Sequence, residues 1–195
     1  MPDTQDLSPI RLSGRPQSIN PDLVARTALE LFAKHGYGEV SMAQIAEVAG
    51  IGRKSLYRYF ASKADLVWGG LLEAAEISEQ ALDAAQGSDM RLLDAMHEAI
   101  QAALRSLPDL EVTRGRLRLI AEQPELLAQA PLRMAPQNGQ MLQHLVDGGL
   151  SVDEAHYLSV AFGSVTFSAW IRWAQSNELS PAQFLTNAMK VLRLP

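Results

Sequence analysis

Residues 41–68, SMAQIAEVAGIGRKSLYRYFASKADLVW, constrain the fold more than any other part of the chain. Ser41 is suited to cap a helix, because its hydroxyl can accept a free backbone N–H, and Ile45 and Ala49 follow at helical spacing. Gly50 can adopt the positive φ that ends such a helix. A second short helix follows at once. The stretch therefore predicts two helices joined by a tight turn, the arrangement that presents one helix to the major groove of DNA.

The second of these helices, RKSLYRYF at residues 53–60, combines basic and aromatic side chains. Leu56 and Phe60 are four residues apart and are predicted to face inward. The outer face contains no acidic residue, whereas a solvated face normally mixes both charge signs. Arginine and lysine pair with phosphates or guanine edges, and tyrosine bonds a phosphate or packs on a thymine methyl. A helix hairpin without a ligand is the alternative, but we predict DNA contacts from Arg53, Lys54, Ser55, Tyr57, Arg58 and Tyr59.

A third helix is predicted to begin at Ser62. Ser62 followed by Asp65 has the spacing of a capping box. Lys63 then lies at a helix N-terminus, where free backbone N–H groups and the helix dipole also favour a phosphate. The alternative is a simple cap with a solvated lysine, but we predict that Lys63 contacts the DNA backbone.

Residues 23–68 resemble the DNA-binding domain of TetR-family transcriptional regulators. The match is carried by ALELFAKHGYGEVSMAQIAEVAGIGRKSLYRYFASKADL. The resemblance implies a core position for Leu56 and Phe60. It further implies contacts with base edges or nearby phosphates from Arg53, Lys54 and Tyr57, and contacts with the DNA backbone from Ser41, Tyr59 and Lys63.

The remainder of the chain also has helical periods and almost no strand signals, so the fold is predicted to be all-α. About nine helices are expected, with Pro124, Pro131 and Pro136 interrupting those in the middle of the chain. We expect a flexible basic arm at 1–19, a three-helix helix-turn-helix domain at 20–66, and a helical effector-binding and dimerisation domain at 67–195. In the arm, Arg11 and Arg15 could reach a minor groove, or the arm could be a tail without a role.

No catalytic or metal site is predicted. The four histidines lack metal-ligand spacing, and there is no cysteine to supply a thiolate. Residues 50–55, GIGRKS, resemble part of a nucleotide-binding loop, but no strand precedes them and the third glycine is missing. We therefore predict no enzyme activity, no cofactor and no metal ion.

The net charge of −5 is unevenly distributed, with eight basic and seven acidic residues in 1–68 and an acidic excess after that. DNA affinity depends on the local field, so the acidic remainder is expected to stay outside a DNA complex. The absence of cysteine and of an N-terminal signal pattern predicts a cytoplasmic protein that is not associated with a membrane. The resemblance further implies a bacterial protein that is associated with the nucleoid when it binds DNA.

A nearly all-apolar helix is predicted from Ser151 to Asn177. Such a helix is buried on most sides. It is either a core helix of one subunit or part of a homodimer interface. The resemblance implies the interface, because the last two long helices of TetR-family proteins form a four-helix dimer contact. We predict the second, with Val160, Gly163, Phe167 and Trp170 packing across the twofold axis.

The most unusual feature of the second domain is VTRGRLRLI, where Arg114 and Arg118 share one helix face. They could anchor an anionic ligand group, or form ion pairs with neighbouring acids such as Glu111 and Glu122. Met134, Met141 and His97 are candidate lining residues of the same pocket.

The family resemblance thus implies a sequence-specific regulator, most simply a repressor, that binds a palindromic operator as a homodimer and is released by a small molecule. Residues 50–70 and the arginine-rich segment also resemble regulators with acyl-CoA-like ligands, including mycofactocin regulators, which implies an acyl-CoA or another anionic amphiphile. A DNA-associated scaffold, such as a nucleoid or division factor with the same DNA-reading head and no effector, is the alternative.

Overall fold

The computed structural model describes residues 20–85, 92–107 and 109–192, without the side chain of Leu93. The arm predicted at 1–19, with Arg11 and Arg15, lies outside these residues. The described helices are α1 (Pro21–His35), α2 (Met42–Val48), α3 (Arg53–Tyr59), α4 (Lys63–Ala85), α5 (Leu92–Ser106), α6 (Leu110–Glu122), α7 (Pro124–Leu127), α8 (Ala130–Asp147), α9 (Val152–Ala174) and α10 (Ala182–Leu192).

The described part of the chain is helical and contains no strand, which confirms the all-α prediction. It comprises nine helices of seven or more residues and the four-residue α7, in agreement with about nine expected helices. None of these helices has the length and apolar character needed to cross a membrane.

The proline-rich segment differs from the prediction in one helix. Pro124 begins α7 and Pro131 lies in the first turn of α8, positions where a missing N–H costs nothing. Pro136, however, lies inside α8 and does not end it. Its ring removes the N–H that would bond the carbonyl of Leu132, and both residues are solvent-exposed, so water can satisfy that carbonyl.

The first three helices pack on the start of α4 around one apolar core. Ser41 and Gln44 form a reciprocal capping box at the start of α2, and Gly50 has φ +66° at the turn that follows it. Ile45 and Leu56 are fully buried, and together with Trp68 they join α2, α3 and α4. The turn geometry and this core fix the direction of α3.

The remaining helices form a second layer around α4, which is 23 residues long. It packs against α5 and α8, while α9 packs between α8, α6 and α10. The core of this layer includes Leu82, Met96, Leu145 and Leu185, all buried. This arrangement leaves one elongated space between α4, α8 and α9.

Helix α6 also contacts the first domain, on the side of α1. Arg26 of α1 pairs with Asp109, the N-cap residue of α6, and Arg116 of α6 lies 3.7 Å from a carboxylate oxygen of Asp22. A Cβ built on Gly115 would lie 3.0 Å from Leu29, so α1 and α6 approach closely there. The two parts of the molecule therefore meet through α6 as well as through α4.

Candidate DNA interface and effector cavity

Helix α3 is held by two buried side chains and exposes the rest of its surface. Leu56 is 0% and Phe60 is 7% exposed, as predicted from their spacing. The aromatic rings of Tyr57 and Tyr59 are 52% and 46% exposed, which is unusual for large side chains on a polar helix. Arg53, Lys54 and Arg58 are exposed and Ser55 is partly exposed beside them.

No carboxylate within the described residues forms an ion pair with the basic side chains of α3. The Arg58 guanidinium lies over the ring of its neighbour Tyr59, at 5.3 Å from the centroid. The face therefore offers uncompensated positive charge and aromatic surface together. This combination suits phosphates and base edges of a DNA groove.

Ser41 and Lys63, which flank α3, already have partners within the chain. The Ser41 hydroxyl accepts the Gln44 backbone N–H at 3.3 Å. The Lys63 ammonium donates to the carbonyls of Tyr37 and Gly38 at 2.5 and 3.4 Å and lies 4.5 Å from the centre of the Tyr37 ring. Lys63 thus joins the start of α4 to the loop between α1 and α2, so its first role in the structure is positional.

The start of α4 is also tied to α8. Ser62 and Asp65 form the predicted pair of capping bonds, at 2.8 Å between side chains and 3.1 Å from the Asp65 N–H. Arg133 of α8 approaches the same carboxylate at 2.7 Å. Burial raises the Asp65 pKa, but the hydrogen bonds from Ser62 and Arg133 outweigh it and the net pKa is lowered. The carboxylate is therefore held ionised between α4 and α8.

A cavity of about 160 Å³ lies between α4, α5, α6, α8 and α9. Its lining is mainly aliphatic and aromatic, with few polar groups, as small-molecule sites usually are. Trp68 and Phe167 both line it, and their rings stack on each other with centroids 6.0 Å apart. The lining residues are Trp68, Leu71, Leu72, Ala74, Ala75, Ser78, Glu79, Leu82, Ile100, Ala103, Leu107, Leu117, Met134, Gln137, Asn138, Met141, Phe162, Gly163, Thr166, Phe167 and Trp170.

The structure brings only part of the predicted ligand site together in this cavity. Met134 and Met141 line the cavity, but Arg114, Arg118 and His97 do not. His97 follows the fully buried Met96 on α5, and the 100° turn per residue carries it away from the interior.

Arg114 and Arg118 instead bind backbone carbonyls after α9. Arg114 donates to Ser176 at 3.1 Å and to Glu178, and Arg118 donates to Ala174 and to Ser176 at 3.3 Å. Arg114 also lies 4.6 Å from the centre of the Trp173 ring. The partners of these two arginines are therefore backbone carbonyls, and not the carboxylates of Glu111 and Glu122 that the alternative predicted. The carbonyl of Ala174, at the end of α9, lacks an intrahelical donor, and the two guanidinium groups supply donors to it and to the carbonyls of Ser176 and Glu178 in the segment that follows.

The predicted dimer residues are likewise divided. Val160 is 43% exposed, but Gly163, Phe167 and Trp170 face inward and line the cavity. A Cβ on Gly163 would come within 2.5 Å of the Asn138 amide oxygen, so α8 closely approaches α9 at this glycine. Because α9 is apolar on almost every side, the sequence could not distinguish the side facing α8 from the side facing solvent.

Sequence reasoning missed Glu79 of α4. Its carboxylate lines the cavity and also a groove between α4 and α8. Burial, and then the neighbouring charges of Glu76 and Asp83, raise the pKa of Glu79 to about 6. The sequence does not distinguish Glu79, because α4 also contains the acidic residues Glu73, Glu76 and Asp83, which are all exposed.

Comparisons with known proteins agree with this architecture. The model of the family described as bacterial regulatory proteins, tetR family, matches residues 25–67. The chain is 30% identical over 184 residues to a Mycobacterium tuberculosis protein named as a mycofactocin biosynthesis transcriptional regulator, MftR, with 92% of each chain covered. It is 32% identical over 127 residues to the HTH-type transcriptional regulator TcmR of Streptomyces glaucescens, covering 62% of this chain and 56% of TcmR.

Two solved structures share the fold at low identity. The Thermus thermophilus FadR, a TetR-family repressor in complex with lauroyl-CoA, superposes with a TM-score of 0.56 at 17% identity, covering 89% of this chain and 93% of FadR. The fatty acid degradation regulator FadR of Bacillus halodurans superposes with a TM-score of 0.58 at 14% identity, covering 91% of this chain and 96% of that FadR. These similarities concern the fold alone.

Proposed function

Because this chain belongs to the TetR family of bacterial transcriptional regulators, we propose that it represses transcription by binding a palindromic operator as a homodimer. A small-molecule effector releases it. The observation that carries the proposal is the exposed face of α3, where basic and aromatic side chains occur without an acid. We place the DNA-reading domain at 20–66 and the effector and dimerisation domain at 67–195, with the boundary inside α4.

The DNA contacts are assigned to two groups of residues. On α3, Arg53, Lys54, Ser55, Tyr57 and Arg58 read base edges or bind adjacent phosphates. Ser41, Tyr59 and Lys63 bind the DNA backbone. The Lys63 ammonium has three N–H donors; two bind the carbonyls of Tyr37 and Gly38, and the third is available for a phosphate. The acidic second domain is directed away from the DNA.

The dimer interface is proposed on the exposed face of α9 together with α10. Tyr157 is 71%, Val160 is 43% and Val191 is 68% exposed. Ser164 and Ser168, which are small and exposed, continue the same face of α9 toward the groove between α9 and α10. Small residues permit close helix approach, and a dimer supplies the two reading helices that an operator with half-sites about 34–36 Å apart needs.

The effector site is proposed in the cavity between α4, α8 and α9, with Met134 and Met141 as adaptable lining. An acyl-CoA effector is supported by the apolar lining and by the lauroyl-CoA that the T. thermophilus FadR binds. The described lining of the cavity offers no cationic side chain for the phosphates of such an effector, because Arg114 and Arg118 bind backbone carbonyls instead. The scaffold alternative, which requires a solid core, is disfavoured by the cavity itself.

The proposed activity involves operator DNA, a second copy of the chain and an effector, and requires neither catalysis nor a cofactor. It would take place in the bacterial cytoplasm, at the nucleoid when the operator is bound. Its mechanism is a difference in effector affinity between the free and operator-bound forms, so operator DNA must weaken effector binding by the same factor.

A mobility-shift titration with the promoter region beside its own gene tests the DNA proposal. We expect the Tyr57→Ala and Lys54→Ala variants each to lose tenfold or more in operator affinity, on the order of 1–3 kcal/mol per lost contact. The matched control is Arg105→Ala, because Arg105 is an exposed cation on α5, remote from α3. Unchanged affinity in both α3 variants would contradict the assignment of α3 as the reading helix.

A further inference from the structure

The charge of the effector can be inferred from the cavity. Among the described residues that line it, Glu79 is the one ionisable side chain, and there is no lysine, arginine or histidine. A carboxylate, phosphate or sulfate group placed there would meet a like charge and find no counter-charge. Burial of an unpaired anion costs several kcal/mol, so the lining disfavours an anionic effector.

The charges outside the cavity have the same sign. Glu79 and Gln137 also line the groove between α4 and α8, whose walls include Glu76, Asp83 and Asp147. One histidine, His144, also lines this groove, 3.6 Å from the Asp83 carboxylate. A ligand leaving the cavity on this side therefore passes through a negative field, which attracts cations and repels anions.

One polar group of the lining at this end has a free hydrogen-bonding atom. The Gln137 amide oxygen is buried and accepts no hydrogen bond within the described residues, and Gln137 lines both the cavity and the groove together with Glu79. Both carboxylate oxygens of Glu79 are approached by the Gln140 amide nitrogen, one of them at 2.8 Å, in the amide orientation that satisfies both groups. The Gln137 oxygen therefore requires a donor, and a positively charged donor is also attracted by the Glu79 carboxylate.

The opposite end of the cavity has an unused donor. Trp68 is 2% exposed, lines the cavity, and has an indole N–H without a partner in the described part of the chain. Trp68 and Glu79 are eleven residues apart on α4, which corresponds to about 16 Å along a helix. Buried polar groups without partners are rare in folded proteins, and the Trp68 N–H and the Gln137 oxygen in the lining of one cavity indicate an elongated ligand that satisfies both.

We propose that the effector is a cationic amphiphile, an elongated apolar molecule whose protonated amine binds between Glu79 and Gln137. The apolar body lies along α4 toward Trp68, where a hydrogen-bond acceptor of the ligand meets the indole N–H. The aromatic lining is compatible with this assignment, because ammonium groups also bind favourably to aromatic rings. The inference rests on the proposed function, since it assumes that this cavity is the effector site.

A series of twelve-carbon probes tests the charge of the ligand with the full-length chain. Dodecylamine, 1-dodecanol, laurate and lauroyl-CoA would be titrated at pH 7.5 below their micelle concentrations, with binding followed by tryptophan fluorescence and by release of operator DNA. We expect dodecylamine to bind tenfold or more tightly than laurate and lauroyl-CoA, with 1-dodecanol in between.

Variants identify the groups responsible. Glu79→Gln is expected to remove the preference for dodecylamine over 1-dodecanol, whereas Glu98→Gln, which removes an exposed carboxylate of α5, is the matched control and should retain it. Gln137→Leu is expected to weaken dodecylamine severalfold and leave 1-dodecanol unchanged. Circular dichroism would confirm that each variant is folded.

Two results would overturn the inference in different ways. If laurate or lauroyl-CoA binds as tightly as dodecylamine, or if Glu79→Gln keeps the preference, the cationic assignment is wrong while the cavity remains the effector site. If none of the four probes binds, both the cationic assignment and the proposed effector site are wrong.

Discussion

Single arginine side chains illustrate what a sequence can and cannot specify. Arg114, Arg116 and Arg118 form a basic cluster in an acidic domain, and the predicted partners of Arg114 and Arg118 were a ligand anion or neighbouring acids. In the structure, Arg114 and Arg118 supply donors to the carbonyls at the end of α9, and Arg116 is buried against Gly70 and faces Asp22. Backbone carbonyls carry no signal in a sequence, so these partners could not be predicted.

Replacing Arg114 with methionine is therefore expected to affect stability and not effector binding. Removing a buried, charge-assisted donor that serves two carbonyls should lower the free energy of unfolding by about 2 kcal/mol. Urea denaturation of Arg114→Met beside Arg105→Met, whose parent arginine is exposed, measures the effect. An effector affinity that falls more than the stability would show that Arg114 touches the ligand after all.

Glu79 is expected to lower stability at neutral pH. Its pKa is raised by burial and by Glu76 and Asp83, to about 6 from 4.5. Folding therefore favours the protonated carboxyl. Its contribution to the free energy of unfolding is fully present below pH 4.5 and is lost as the pH rises through about 6. Glu79→Gln should stabilise the protein at pH 7.5, by up to about 1 kcal/mol since solvent screens a half-exposed group, and have little effect at pH 4.5.

Thermal unfolding of wild type and Glu79→Gln at these two pH values provides the measurement, with Glu98→Gln as the control. If Glu79→Gln stabilised the protein equally at both pH values, the negative charge of Glu79 would not be the cause of the lower stability. A carboxylate that lowers the stability of the free protein is often found at a functional site, and this agrees with a role of Glu79 in ligand binding.

Whole helices show the same division between local and non-local information. The turn at Gly50, the cap at Ser41 and the buried pair Leu56 and Phe60 of α3 are set by neighbours within about ten residues, and the sequence predicted them correctly. The inward side of α9 depends on where α8 packs, which is a long-range contact. The sequence therefore predicted that this helix is buried on most sides, but three of the four residues it assigned to the dimer interface lie toward the cavity.

The contact between α8 and the start of α4 is a candidate route from effector to DNA. Arg133 precedes the cavity residue Met134 in the chain and pairs with Asp65 in the first turn of α4, directly after α3. If the effector acts by shifting α8 against α4, breaking this pair should weaken the coupling between the two sites, which is typically 5–150-fold in affinity.

The variant Arg133→Met is expected to lower this coupling factor severalfold while changing operator affinity without effector by less than about threefold, as is usual for a partly exposed ion pair. Operator titrations with and without effector measure both quantities. A coupling factor equal to that of wild type would exclude this pair from the route.

The complete molecule is expected to function as a dimer, since one subunit offers one reading helix. The exposed apolar positions of α9 and α10 are the surface proposed for the contact. Val160→Asp should place a charge in the centre of that surface and shift the protein to monomers at micromolar concentration, as measured by light scattering. Leu132→Asp is the control, because Leu132 is 78% exposed on α8. A wild-type monomer, or a dimer that persists in Val160→Asp, would contradict this interface.

Selection of binding sites from a random DNA pool tests the central claim most directly. Wild type should enrich an inverted repeat whose half-site centres lie about 10–10.5 base pairs apart or at a multiple of that spacing, and Tyr57→Ala and Lys54→Ala should lose the enrichment. Arg105→Ala should enrich the same repeat as wild type. If no sequence is enriched, or if the repeat is retained in both α3 variants, α3 is not the helix that reads DNA.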